Sequence, residues 1–112
     1  MHAKTLICLI CALVTLPLTG CGKKEEGPET PESRGRRAYV TYCVVCHNAD
    51  PRKDGTTGPA IAGASQELVE AKTLRQTYPL GYKPKRTTKT MPAYPQVKTR
   101  ISDLTAFLNA AR

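Results

Sequence analysis

The chain of 112 residues contains no tryptophan and a single phenylalanine, Phe107. A core assembled from large aromatic rings is excluded, so a sizeable apolar centre has to come from aliphatic side chains, tyrosines or a bound group. The two histidines and two methionines are equally sparse. His2 and Met1 stand in the leading segment, which leaves one of each, His47 and Met91, for the rest of the chain. Acids are few: 9 Asp and Glu against 17 Lys and Arg give a formal net charge of +8. No segment alternates apolar and polar residues as a half-buried strand does, and no internal repeat is present. The apolar stretch at residues 5–18 has 14 residues, short of the ~20 that a transmembrane helix needs. Five cysteines, an odd count, argue against a plain disulfide framework.

The N-terminus accounts for the odd number. Lys4 supplies a positive start, residues 5–18 an apolar h-region, and Leu18-Thr19-Gly20-Cys21 follows. That tetrapeptide resembles a bacterial lipobox, which implies cleavage before Cys21 and acylation (palmitate among the chains) of its thiol. The alternative is an uncleaved anchor or an ordinary signal cut nearby. Residues 1–20 are therefore expected to be a lipoprotein-type signal peptide. Cys8 and Cys11 lie inside it and read as apolar filler. Residues 21–32, with Gly, Pro, Lys and Glu and no apolar periodicity, read as the lipidated cysteine and a flexible tether. The 11 residues after Cys21 span at most about 36–40 Å when extended. Gly22, rather than Asp, follows the cysteine, which points to the outer membrane if the host is Gram-negative.

Residues 33–112 are expected to form one small all-α domain. Ser33 can cap a helix running to about Cys43, with Gly35, Ala38, Tyr39, Tyr42 and Cys46 on one side. Residues 48–64 are rich in Gly, Pro, Asp and Thr and read as loop. Ser65 opens a second helix whose apolar side is Leu68, Ala71 and Leu74. Four prolines and Gly81 exclude long regular structure from residues 78–95. A last helix over about 96–111 carries the stripe Val97, Ile101, Leu104, Leu108 and Ala111, with Phe107 beside it. Long loops between few helices need something to wrap.

Cys43-Val44-Val45-Cys46-His47 names a candidate. C-x-x-C-H is the attachment pattern of a c-type haem: two thiols bond its vinyl groups and the adjacent imidazole ligates the iron. The alternatives are a zinc half-site or a redox-active cysteine pair. A structural zinc site closes with four ligands, and after cleavage and lipidation no further Cys or His remains to finish one. A redox pair belongs in a βαβ setting, which is absent.

Four segments, in order, resemble the class I monohaem cytochromes c, short bacterial type, over roughly residues 33–112. Gly35-x-x-x-Tyr39-x-x-x-Cys43 is similar to the family's N-terminal helix, and Leu104-Thr105-Ala106-Phe107-Leu108 to the C-terminal helix that crosses it. Gly58-Pro59-Ala60-Ile61-Ala62-Gly63 resembles the loop whose Pro carbonyl receives the axial histidine's hydrogen bond. Thr90-Met91-Pro92-Ala93-Tyr94 resembles the loop that supplies the distal methionine. The resemblance implies a cytochrome c fold, with terminal helices packed across each other and loops wrapping one covalent haem c. It implies His47 and Met91 as iron ligands, Cys43 and Cys46 as attachment points, and Pro59 behind His47. The chain departs from mitochondrial relatives in lacking Trp and a long middle section, and residues 78–86 match no pattern.

Other readings of these residues stand beside that one. Met91 can be a gap-filling core methionine, or the sixth iron position can be open. Pro59 can be a simple turn proline. A second histidine ligand is excluded by composition. Tyr39 and Phe107 read as helix packing, and Tyr78, Tyr82 and Tyr94 as candidates for the haem edge or a propionate. Residues 33–112 carry 14 Lys and Arg against 5 Asp and Glu. Lys83, Lys85, Arg86 and Lys89 cluster before Met91, where positive charge would steer an acidic redox partner. Anionic lipid headgroups compete for the same charges. The expectation is a monomeric electron carrier rather than an enzyme. It would be lipid-anchored on the periplasmic or extracytoplasmic side, partnered by respiratory-chain proteins and not by nucleic acid. The alternatives are a haem-based sensor of small ligands and a haem subunit of a larger oxidase or reductase.

Overall fold

The computed structural model describes residues 27–87 and 91–112; the expected signal peptide, the lipobox-like segment with Cys21, and Lys89 and Thr90 lie outside them. Among the described residues three α-helices carry the fold: α1 at Pro31–Tyr42, α2 at Gln66–Arg75 and α3 at Ile101–Ala110, the last preceded by a 3-10 helix at Pro95–Arg100. Among the described residues there is no strand. No helix there is long and apolar enough to cross a membrane.

Helix α1 begins earlier than its sequence suggests. Thr30, not Ser33, is the N-cap. The Thr30 side chain accepts from the Ser33 N–H at 3.1 Å, and Ser33 Oγ accepts from the Thr30 N–H at 3.0 Å. This reciprocal capping box satisfies two otherwise orphaned donors. Pro31 sits at the first helical turn, where its missing N–H costs nothing and its fixed φ suits the helix. Pro31 and Glu32 are thus helical, although their composition matches the tether.

The helix runs out over the cysteine motif. The Cys43 and Val44 N–H groups both reach Tyr39 O, and the His47 N–H bonds Cys43 O at 2.8 Å. The motif is one further turn, with Cys43, Cys46 and His47 brought round on it.

Helices α1 and α3 form the main packed pair. Their closest approach is at Gly35, where an added Cβ would lie 1.9 Å from the Asp103 carbonyl oxygen. Only a hydrogen fits there, which is why glycine occupies that position. Tyr39, fully buried, packs on Phe107 with ring centres 5.2 Å apart. Val97, Ile101, Leu104 and Leu108 are buried along the other side, as the apolar stripe predicts. Ala111 is only half-buried. Across the same pair, Arg34 Nε and Nη2 each donate to the Asp103 carboxylate at 2.9 Å, and Arg100 approaches it at 3.4 Å. The Asp103 side chain is 8% exposed and that of Arg34 27%, so this bidentate pair is part-buried at the helix contact.

Helix α2 corrects one expectation. Ser65 caps it as expected, accepting from the Leu68 N–H at 3.2 Å. Its buried side, however, is Val69, Ala71 and Thr73 rather than Leu68, Ala71 and Leu74. Thr73 can be buried because its hydroxyl donates to Val69 O at 2.7 Å. Leu68 is turned to a cavity instead. The expected final helix over 96–111 is divided. Arg100, at φ −117 and ψ 6, leaves the α-helical path and separates a 3-10 helix over Pro95–Arg100 from α3.

Candidate cofactor site

A cavity of about 420 Å³ opens between the turn after α1, the loop at 57–65, helix α2 and the residues before the 3-10 helix. Its wall is chiefly apolar: Tyr39, Ile61, Leu68, Val69, Val97 and Leu104 all contribute. Lys72, Lys85 and Arg86 lie on the same cavity. Cys43, Cys46, His47, Pro59 and Met91 line it too, although Met91 follows His47 by 44 residues. Of the sequence-expected site residues, only Cys21 falls outside the described part of the chain.

His47 is the most constrained of them. It is 9% exposed, and its Nδ1 lies 2.8 Å from the Pro59 carbonyl oxygen. A carbonyl only accepts, so Nδ1 is the donor, and in the neutral ring the lone pair falls on Nε2. The ring lies flat against Gly58, where a Cβ would come within 2.5 Å of Cε1. Two backbone bonds hold that loop to the motif: Thr57 N–H and Gly58 N–H both donate to Cys46 O, at 3.2 and 2.8 Å. Gly55 completes the contact, since its Cβ would sit 2.3 Å from the same oxygen. The arrangement presents one basic imidazole nitrogen in a fixed orientation.

The two cysteines are free thiols, each half-buried. Burial pushes the Cys43 thiol up to about 11, and the neighbouring Cys46 adds to the shift. A redox-active C-x-x-C pair needs the reverse, a thiol lowered toward neutrality. Burial likewise pushes the Tyr39 hydroxyl up to about 12, with the Cys43 and Asp50 charges contributing. That hydroxyl donates to Asn48 O at 2.6 Å, which anchors the residue after His47 to α1. Among the described residues no group of three or more His, Cys, Asp or Glu side chains could hold a bare metal ion.

The three tyrosines left unassigned by sequence, Tyr78, Tyr82 and Tyr94, all line the cavity. Tyr78 and Tyr82 stack with centres 5.4 Å apart and planes within 7°, and Lys72 Nζ lies 4.2 Å over the Tyr78 ring. This is a cation–π layer on one side of the opening. Tyr94 faces Tyr42 at 6.4 Å. Met91 is half-buried, and its carbonyl accepts from Gln76 Nε2 at 3.3 Å.

Two members of the basic cluster also hydrogen-bond to backbone carbonyls. Lys85 Nζ donates to Ala60 O at 2.7 Å, and Arg86 Nη1 donates to Thr57 O at 2.6 Å. Two of the four cations are therefore tied to the chain's own Pro59 loop; Lys83 is exposed. Sequence reasoning also passed over Lys72, Asp54 and the Arg34–Asp103 pair. Asp54-Gly55 does carry a turn signal, but that signal names no distant partner. No protein-family model matches the sequence, and no curated protein is detectably similar to it.

Proposed function

We propose that this chain is a membrane-tethered, class I c-type cytochrome that passes single electrons and transforms no substrate. One observation carries the reading. The two thiols and imidazole of C-x-x-C-H and the only methionine of residues 27–112 line a single apolar cavity, with the imidazole Nδ1 already bonded to Pro59 O. The crossing of α1 and α3 at Gly35, with Tyr39 on Phe107, supports the cytochrome c arrangement of terminal helices.

The residues fit a covalent haem c. Cys43 and Cys46 would hold it through thioether bonds, each sulfur bonding a vinyl carbon while the thiol proton goes to its neighbour. His47 would offer Nε2 to the iron, and Met91 its thioether. When bound, the haem supplies one iron that alternates between ferric and ferrous forms, and His/Met ligation favours the ferrous form. The protein's part is to hold and insulate. The Pro59 carbonyl keeps the His47 ring from turning and raises its basicity. The aliphatic wall excludes water and keeps the local dielectric low. Lys72, Lys85 and Arg86 supply positive charge on the cavity for carboxylates such as propionates.

The signal peptide at 1–20 and lipidated Cys21 would place the domain outside the cytoplasmic membrane, on the tether up to Thr30. Acidic redox proteins of a respiratory chain are the matching partners, met as a monomer. The test is the optical spectrum of the purified protein in both redox states. The proposal expects low-spin haem bands in each state, and in the oxidised one the weak far-red band of a thioether–ferric bond. High-spin bands with ready binding of CO would instead favour a sensor with an open sixth position.

A further inference from the structure

The loop that carries Pro59 is also held by a carboxylate, Asp54, to which the proposed function gives no role. Asp54 Oδ1 accepts from the Ala60 N–H at 2.7 Å. That N–H and the Pro59 carbonyl belong to one planar peptide unit, and the carbonyl is the group bonded to His47 Nδ1 at 2.8 Å. A single rigid amide thus joins a carboxylate on one side to the imidazole on the other. Arg86 stands behind the carboxylate, with Nη2 3.5 Å from Asp54 Oδ2. Its other nitrogen and Lys85 fix the flanking carbonyls, Thr57 O and Ala60 O. Asn48 Nδ2 donates to Asp54 O at 3.2 Å and ties the start of the loop to the residue after His47. The Asp54 side chain is 68% exposed, so core packing does not explain its place. The Ala60 N–H first, and the Arg86 and Lys85 charges with it, hold its carboxyl below the usual carboxylate range.

We propose that Asp54 is a positioning residue for His47: clamped by Arg86, its carboxylate orients the Pro59–Ala60 peptide and makes the Pro59 carbonyl a stronger acceptor for Nδ1. Hydrogen bonds in series polarise one another, so an anion on the N–H of an amide strengthens acceptance at its oxygen. A stronger bond at Nδ1 leaves more electron density on Nε2, the nitrogen offered to a ligand. This rests on the haem site proposed above, where the effect would lower the iron potential.

The test uses the haem-bearing protein, its reduced form for proton NMR and a redox titration for the midpoint potential. Asp54→Ala should speed exchange of the His47 Nδ1 proton by roughly two- to threefold, the effect of losing the ~10–30% strengthening that one bond lends the next in series, and should raise the potential. Asp54→Asn keeps an acceptor of the same shape without the charge and should fall between Asp54→Ala and wild type. Asp50→Asn removes the same charge from a nearby loop residue that does not touch Ala60, and should leave the proton's exchange unchanged. Wild-type exchange and potential in both Asp54 variants would overturn the assignment, as would an Asp50 variant that matches Asp54→Ala in both. A colourless wild-type chain would overturn the haem reading itself, before any variant is compared.

Discussion

Replacing Gly35 by alanine sets two effects of opposite sign against each other. Gly35 lies inside α1, so alanine improves helix propensity by about 1 kcal/mol. The new Cβ, however, would sit 1.9 Å from the Asp103 carbonyl oxygen and 2.5 Å from its carbon. These are backbone atoms of α3 and have no side-chain freedom with which to yield. The two helices must part by more than an ångström, which disturbs the Tyr39–Phe107 packing and stretches the Arg34–Asp103 bonds. Overpacking of this kind costs about 3 kcal/mol at the upper end of its usual range. The net loss is therefore about 2 kcal/mol, or a fall in Tm of roughly 8–16 °C for a domain of this size. Thermal unfolding followed by circular dichroism measures it. Gly27→Ala is the control, because a Cβ there meets nothing within 4 Å, and its Tm should match wild type. A Gly35→Ala protein that melts at or above wild type would show that helix propensity wins and that the helix crossing is looser than described.

Three other outcomes are expected. The Arg34 hydrogen bonds hold the Asp103 carboxyl below the usual carboxylate range. The unfolded chain therefore binds more protons between the two pKa values, and stability rises with pH across that window. The contribution is complete above the unfolded value near 4 and is lost as pH falls through the depressed native value. Asp103→Asn should flatten this acid limb, and acid titrations of the two proteins by circular dichroism compare them. Met91→Ala should abolish the far-red oxidised band, lower the potential and admit CO; an unaltered spectrum would remove Met91 from the site. Reduction by an acidic redox partner should slow as salt is added. Lys83→Glu should weaken that salt dependence, since Lys83 is exposed; a rate flat in ionic strength would argue against steering.

The sequence made some features plain because they rest on local chemistry. Ser65 caps α2 as its polar side chain before an acidic first turn suggests. The stripe at 97, 101, 104 and 108 marks the face toward the core; Gly35 stands out only through the resemblance, since its close neighbour Asp103 lies on a distant helix. The start of α1 was obscured because Pro-Glu-Ser matches the composition of the preceding tether, and only the reciprocal Thr30–Ser33 bonds reveal a cap. Leu68 looked like core because helical periodicity identifies an apolar side but not whether protein or a cavity lies against it. Lys85 and Arg86 looked like free surface charge. Their carbonyl partners are more than twenty residues away, and closure of that loop leaves no mark in local spacing. Asp54 is close in sequence to Ala60, yet its bond to that N–H forms only once the loop has turned back on itself, which local spacing does not show. Chemistry-bearing residues stood out individually, while the contacts that hold them in place appeared only in three dimensions.

Attachment of a covalent haem at Cys43 and Cys46, with His47 beside it, underlies every functional statement above. It is tested most directly by denaturing the protein purified from a host able to attach c-type haem, extracting it with acidified organic solvent, and recording the spectrum of the chain that remains. Haem absorbance should stay with the polypeptide, and a Cys43→Ala, Cys46→Ala double variant should lose it. A colourless wild-type chain, or colour retained by the double variant, would contradict it.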